Sequence, residues 1–182
     1  MGWTGSWREF DSVKEFVEDE LGTNYNDKWR YVCHSIVGTT VYSLVENKTD
    51  PNDKFISVTL TQRSDGEFLW KTMSESAGPC CYDCPVKFLK QSTCKEAYAE
   101  EWRRKCLDKR NEKKTALAFM NSLKYGDLVK LKDDILVRFE AFYWPNPRKK
   151  PSKSTVVAVN VQKDMRFRYD WTQFVGANRV EA

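Results

Sequence analysis

Phe10, Val13, Phe16, Val17 and Leu21 recur at three- and four-residue spacing, with Asp11, Glu15, Glu18, Asp19 and Glu20 between them. That period predicts an amphipathic helix over 10–21 with an acidic outer face. Ser12 followed by Glu15 has the capping-box spacing, and Gly22 is placed to stop the helix. The pattern then changes. Residues 28–37 and 39–46 are rich in Val, Ile, Tyr and Thr and predict two strands with a bend at Gly38. Residues 47–53 (NKTDPND) form a polar turn. In 55–61 the period is two: Phe55, Ser57, Thr59 and Thr61 fall on one face, Ile56, Val58 and Leu60 on the other. Arg63-Ser64-Asp65-Gly66 then turns the chain into 67–73, which completes an antiparallel meander.

Gly78-Pro79 ends this region. A cysteine-rich segment, 80–85, leads to a short helix ending near Gln91. Thr93 with Glu96 reads as a second capping box, opening a helix over 94–113 whose buried stripe is Tyr98, Trp102 and Cys106. A separate helix over 115–125 carries Ala116, Leu117, Phe119, Met120 and Leu123 inward and ends at Gly126. The remainder returns to strands. Residues 127–132 and 135–143 flank Asp133-Asp134 as a hairpin. A proline- and lysine-rich loop spans 144–154, strands follow at 155–161 and 165–169, and a short helix is expected over 170–176. Helix, sheet, helices, sheet is the order of an α+β fold: antiparallel sheets with an N-terminal helix and a central helical segment. The length suits one domain, 1–182, with possible lobes at 1–78 and 79–182.

Charge separates those lobes. Residues 1–78 hold 8 Lys/Arg against 13 Asp/Glu, and residues 79–182 hold 22 against 13. An acidic half beside a basic half points to a polyanion, or to a partner with a matching charge pattern. No apolar run reaches transmembrane length, and the first residues lack the apolar core of a signal peptide, so a cytoplasmic location and no membrane partner are expected. Met1-Gly2-Trp3-Thr4-Gly5-Ser6 formally fits a myristoylation pattern. Trp3 and Trp7 among glycines are candidates for burial or for partner contact.

Catalysis finds little purchase. The single histidine, His34, sits in a predicted strand where its neighbour Cys33 points to the opposite face, so the two cannot act as nucleophile and base. No phosphate-cradling, dinucleotide, nucleophile-elbow or zinc-protease motif occurs. Neither an enzymatic activity nor a cofactor is expected. Cys81 and Cys84 have the spacing of a zinc knuckle. Cys94 and Cys106 could complete a four-sulfur site, but they would lie roughly 18 Å apart along one straight helix, and Cys80 with His34 gives a weaker alternative set. Reduced, partly buried thiols are therefore the expected state.

The stronger signal is basic. Arg103, Arg104, Lys109 and Arg110 give the central helix a cationic face, continued by Lys113 and Lys114. Arg148, Lys149 and Lys150, with Lys153, form a second cluster beside Phe142, Tyr143 and Trp144. Arg166 and Arg168 alternate with Phe167 and Tyr169. Cations neutralise phosphates and aromatic faces stack bases, so these residues are the candidate contacts for a partner or for nucleic acid.

Three segments carry a resemblance: the Met1-Gly2-Trp3-Thr4 start, Gly78-Pro79-x-x-Tyr82-Asp83-Cys84-Pro85, and Glu101-Trp102-Arg103-Arg104-Lys105-Cys106. Together they resemble a group of small proteins encoded by phages and mobile elements of gut bacteria. The match covers residues 1–106 and loosens to Gly126-Asp127-x-Val129 and the later sheet. Where this chain has Cys80 and Cys81, the group usually carries aromatic residues, which weakens the zinc reading. In length and origin the chain is similar to the type II-A anti-CRISPR proteins, inhibitors of Cas9. That resemblance implies stoichiometric binding to the Cas9–guide RNA complex, with the basic half on RNA or DNA and the acidic helix on protein. Many such inhibitors are acidic mimics of DNA, which this chain is not. A stand-alone nucleic-acid-binding module and a small zinc-binding protein stay open beside it.

Overall fold

The structure, a computed structural model, describes residues 7–24, 28–61, 68–69, 72–146, 148 and 150–180. Expectations for Met1–Ser6, the turn at 63–66 and Lys149 lie outside the described residues. The fold is α+β, and the chain forms two compact units, Met1–Lys109 and Arg110–Ala182. The division falls within the central helix and not at the change of charge after residue 78. The first unit holds 15 Lys/Arg against 18 Asp/Glu and the second 15 against 8, balances of −3 and +7.

In the first unit, β1 (Trp7–Arg8) is followed by α1 (Val13–Asn24), β2 (Trp29–Val37), β3 (Thr40–Asn47), β4 (Lys54–Leu60), β5 (Phe68–Leu69) and β6 (Met73–Ser74). β1 pairs with β5, and the other four strands form an antiparallel sheet in the order β2-β3-β4-β6. Two helices follow, α2 (Val86–Leu89) and α3 (Ala97–Asn121). β3 is buried from Thr40 to Glu46 because both faces of the sheet are covered. Val41, Val45 and Phe55 meet Val13, Phe16, Val17 and Leu21 of α1. Tyr42, Leu44, Ile56 and Val58, on the opposite face, meet Phe88 and Leu89 of α2 and Trp102 and Cys106 of α3. The alternation expected within 55–61 is the register observed. Each of these large apolar side chains contributes about 1.5–3 kcal/mol on burial.

Local chemistry moved several boundaries. Ser12 Oγ accepts the Glu15 N–H, but the Glu15 carboxylate reaches the N–H of Asp11 instead of closing a box on Ser12. Gly22 does not stop α1, which runs to Asn24. Thr93 caps nothing. Its hydroxyl accepts the Lys54 N–H at 2.8 Å and donates to the Asn52 carbonyl at 2.8 Å, tying this segment to the start of β4. The buried stripe of α3 is Ala99, Trp102 and Cys106, at i, i+3 and i+7, while Tyr98 is exposed. The two predicted helices are one, because nothing between 113 and 115 breaks the ladder.

The second unit begins within α3. Its strands are β7 (Leu128–Lys130), β8 (Leu136–Phe142), β9 (Thr155–Asn160), β10 (Met165–Asp170) and β11 (Asn178–Arg179), antiparallel in the order β10-β9-β8-β7-β11. Between β7 and β8, Asp133 and Asp134 take left-handed conformations at φ 63° and 60°, which short polar side chains tolerate. One sheet face carries Val129, Val137, Phe139, Val156, Ala158 and Tyr169 into a core with Ala116, Met120 and Leu123 of α3 and with Phe174. The short helix expected over 170–176 is a tight 3₁₀ turn, Trp171–Phe174, capped by Asp170 in a capping box with Gln173.

Candidate nucleic-acid interface

Strand alternation fixes which residues the second sheet turns away from its core. Arg138 on β8 and Arg166 on β10 are both register partners of Val159 on β9, so they stand in one cross-strand row. Two strand spacings separate them, about 10 Å. Arg168 pairs with Val157, which also faces Ala141 across the β8 bulge. Tyr143 extends β8 by donating its N–H to the Thr155 carbonyl at 2.8 Å and so falls on this same face. Over the Tyr143 ring lies the Arg168 guanidinium, its carbon 4.1 Å from the ring centroid. Such a contact attracts a cation to the face of an aromatic ring. Arg166 is exposed and bonded to the Glu140 carboxylate, Nε to oxygen at 2.9 Å.

The loop after Tyr143 adds charge at the same corner. It returns to the sheet through the Ser152 N–H, which donates to the Tyr143 carbonyl at 2.7 Å. Residues 141–163 contain Arg148, Lys149, Lys150, Lys153 and Lys163 and not one Asp or Glu. Arg148, Lys150 and Lys153 are described, apart from Lys149; none of the three has an ion-pair partner among the described residues, and neither does Arg138. Arg110 and Lys114 in the second half of α3 are likewise exposed and without an ion pair among the described residues, whereas Lys113 lies over the Trp171 ring at 5.4 Å.

The cations of the first unit are spent differently. Arg103, expected on an outer contact face, points inward. It donates to Glu75 Oε2 at 2.7 Å, Ser92 Oγ at 2.8 Å and the Cys94 carbonyl at 2.5 Å. Glu75 is fully buried, and it also accepts the Ile56 N–H at 3.0 Å and the Ser92 hydroxyl. Burial raises its carboxyl above the ordinary value, against the pull of Ser92 and Arg103. Lys109 pairs with Asp83 at 3.0 Å and Lys105 with Glu101 at 2.7 Å. Lys54 and Arg30 share Glu46 and hold its carboxyl below the usual range. Arg104 is exposed without an ion pair among the described residues.

Five of the six cysteines lie in or against the first unit's cores, and Cys80 is exposed. Cys84 and Cys106 are buried together, with Cys33 and Cys81 packed against the same cluster, while Cys94 packs against the core on α1's side of the sheet. Burial pushes the Cys84 thiol far up and the Cys106 thiol up to about 12. Among the described residues, no three His, Cys, Asp or Glu side chains are placed to hold a metal ion. The segment that carries Cys81 and Asp83 is anchored from two sides: the Trp102 indole donates to the Cys81 carbonyl, and the Asp83 N–H donates to the Tyr42 hydroxyl. His34 Nδ1 is bonded to the Tyr31 hydroxyl at 2.7 Å, and burial, then Lys87, hold the imidazole below its ordinary pKa.

No family model, curated protein or solved structure matches the chain. Among the described residues no helix is long and apolar enough to cross a membrane. The second unit offers the clearest candidate surface: an open sheet face and its adjoining loop, where Arg138, Arg148, Lys150 and Lys153 lack ion-pair partners among the described residues. Sequence reasoning named Arg148, Lys150, Arg166 and Arg168 but passed over Arg138. Its signal was present, since Arg138 lies between the inward-facing Val137 and Phe139.

Proposed function

We propose that the chain acts by stoichiometric, non-catalytic binding, and that its second unit meets the nucleic acid of a nucleoprotein complex. The observation that carries this reading is a group of second-unit cations that have no ion-pair partner among the described residues. In the first unit Arg30, Lys54, Arg103, Lys105 and Lys109 face acidic partners. In the second, Lys130, Arg166 and Arg179 are paired, but Arg110, Lys114, Arg138, Arg148, Lys150 and Lys153 have no such partner among the described residues, which leaves these six available to displace counterions from phosphates. The resemblance to phage and mobile-element proteins makes the complex of Cas9 with guide RNA the expected partner, in the cytoplasm of a bacterial host. There the protein would act as an inhibitor that evades host defence.

The test is target-DNA cleavage by Cas9 loaded with guide RNA, with the protein added from below to well above the nuclease concentration. Inhibition that saturates at a fixed ratio to the complex, and that Arg148→Glu with Lys150→Glu relieves, supports the proposal. No inhibition at large excess across several orthologues removes this nuclease as the partner. Retention of free DNA or RNA with steep salt dependence would then leave a stand-alone nucleic-acid-binding module.

A further inference from the structure

We infer that the open sheet face of the second unit is a platform for single-stranded polynucleotide, with a base seated on the Arg168 guanidinium. This inference rests on the proposal that the second unit binds nucleic acid, and it narrows that proposal to one substrate class. An electrostatic surface alone takes duplex and single strand alike, since both present phosphates. A platform for bases takes only strands whose base faces are free.

Two features of the face favour bases. Arg168 is exposed, and its guanidinium lies over the Tyr143 ring, which sets a cation and an aromatic side chain together on this face. Arginine planes stack on bases as aromatic rings do. The floor beside it is apolar: Val157 and Val159 lie between the arginines of β10 and the β8 residues Ala141 and Arg138, which flank the β8 bulge. Hydrophobic floor flanked by cations suits bases laid flat with their phosphates at the rim. Arg166 and Arg168 are same-face neighbours about 7 Å apart along β10, and they place positive charge along the path of the strand.

The acidic groups on this face set its limits. Glu140 is engaged by Arg166, and Asp170 caps the turn at Trp171–Phe174. Neither faces Arg168 as an ion-pair partner. Single-stranded RNA and single-stranded DNA share the chemistry of exposed base faces on a charged backbone, so both belong in the test.

The experiment uses the full chain and fluorescein-labelled strands of roughly 12 nucleotides, within the span that such surfaces cover. Anisotropy is followed for single-stranded RNA, single-stranded DNA of the same sequence, and the corresponding duplexes at about 50 mM salt. Single strands are expected to bind at least about tenfold more tightly than duplexes. Arg168→Lys keeps the charge and removes the plane; it should weaken single-strand binding about tenfold and leave duplex binding and the salt slope unchanged. Tyr143→Phe should match the parent, and Tyr143→Ala should follow Arg168→Lys. Equal affinity for duplex and single strand, or an Arg168→Lys variant that binds like the parent, overturns the platform and leaves the nucleic-acid surface standing. Failure to bind any strand up to about 100 µM protein overturns both. A difference between the RNA and DNA arms identifies which single strand the face takes.

Discussion

Replacing Arg103 with Met separates two roles for that side chain: an outer contact for a partner, or a structural tie inside the first unit. In the structure Arg103 is the cationic partner of Glu75, a fully buried carboxylate, and it also bonds Ser92 and the Cys94 carbonyl. Met preserves most of the stem volume and deletes the charge. What remains is a buried carboxylate held only by the Ile56 N–H and the Ser92 hydroxyl. Removing one partner of a buried pair costs about 3–5 kcal/mol, because the other charge keeps its desolvation penalty. For a domain with a urea m-value near 1–3 kcal/mol/M, the unfolding midpoint should fall by roughly 1–5 M. The loss should depend on pH. Burial already raises the Glu75 carboxyl, and without Arg103 it rises further. A group whose pKa is raised on folding contributes its stability in full below the unfolded value, about 4.3, and loses it as pH climbs through the folded value. The deficit of the Met variant against the parent should therefore be largest at pH 7 and shrink toward pH 4. Adding Glu75→Gln should recover part of the loss at pH 7. A midpoint shift worth less than about 1 kcal/mol, or a deficit independent of pH, would refute the buried pair and return Arg103 to the surface.

The buried thiols make a further prediction. Burial places Cys106 near 12 and Cys84 higher still, against about 8.5 in an unfolded chain. Their contribution to stability is complete below about pH 8.5 and is lost as pH rises through the folded values, so the urea midpoint should decline on the alkaline side, and less so in Cys84→Ala or Cys106→Ala. Under native conditions at pH 8 a thiol reagent should label the exposed Cys80 first and leave Cys84 and Cys106 until unfolding; prompt labelling of all six cysteines contradicts the packing.

How much of this was legible in the sequence follows from which forces set each feature. Elements with one period and no competing partner were readable: the two-residue alternation of 55–61, the apolar period of 10–21, and the hairpin around Asp133-Asp134. Features set by distant partners were not. Thr93 has the spacing of a helix cap, yet the free backbone groups of Asn52 and Lys54 claim its hydroxyl. Tyr98 shares an i, i+4 relation with Trp102, but the sheet contacts the face of α3 that carries Ala99. The site shows the same division. Arg103 and Arg104 look alike in a run of basic residues, and only the fold reveals that one of them faces a buried glutamate. Arg138 was hidden by the opposite error: a lone arginine among apolar neighbours draws no attention until the register puts it in a row with Arg166.

The central claim is that unpaired cations of the second unit, and not the paired ones of the first, hold nucleic acid. The most direct test compares two neutralised variants, Arg148→Gln with Lys150→Gln and Lys105→Gln with Lys109→Gln, by the salt dependence of binding to a single-stranded RNA. The first pair should lower the slope of log affinity against log salt by roughly 1.4, since each phosphate contact in a single strand contributes about 0.7. The second pair should leave it unchanged. Equal losses in the two variants, or a larger loss in the second, would contradict the account.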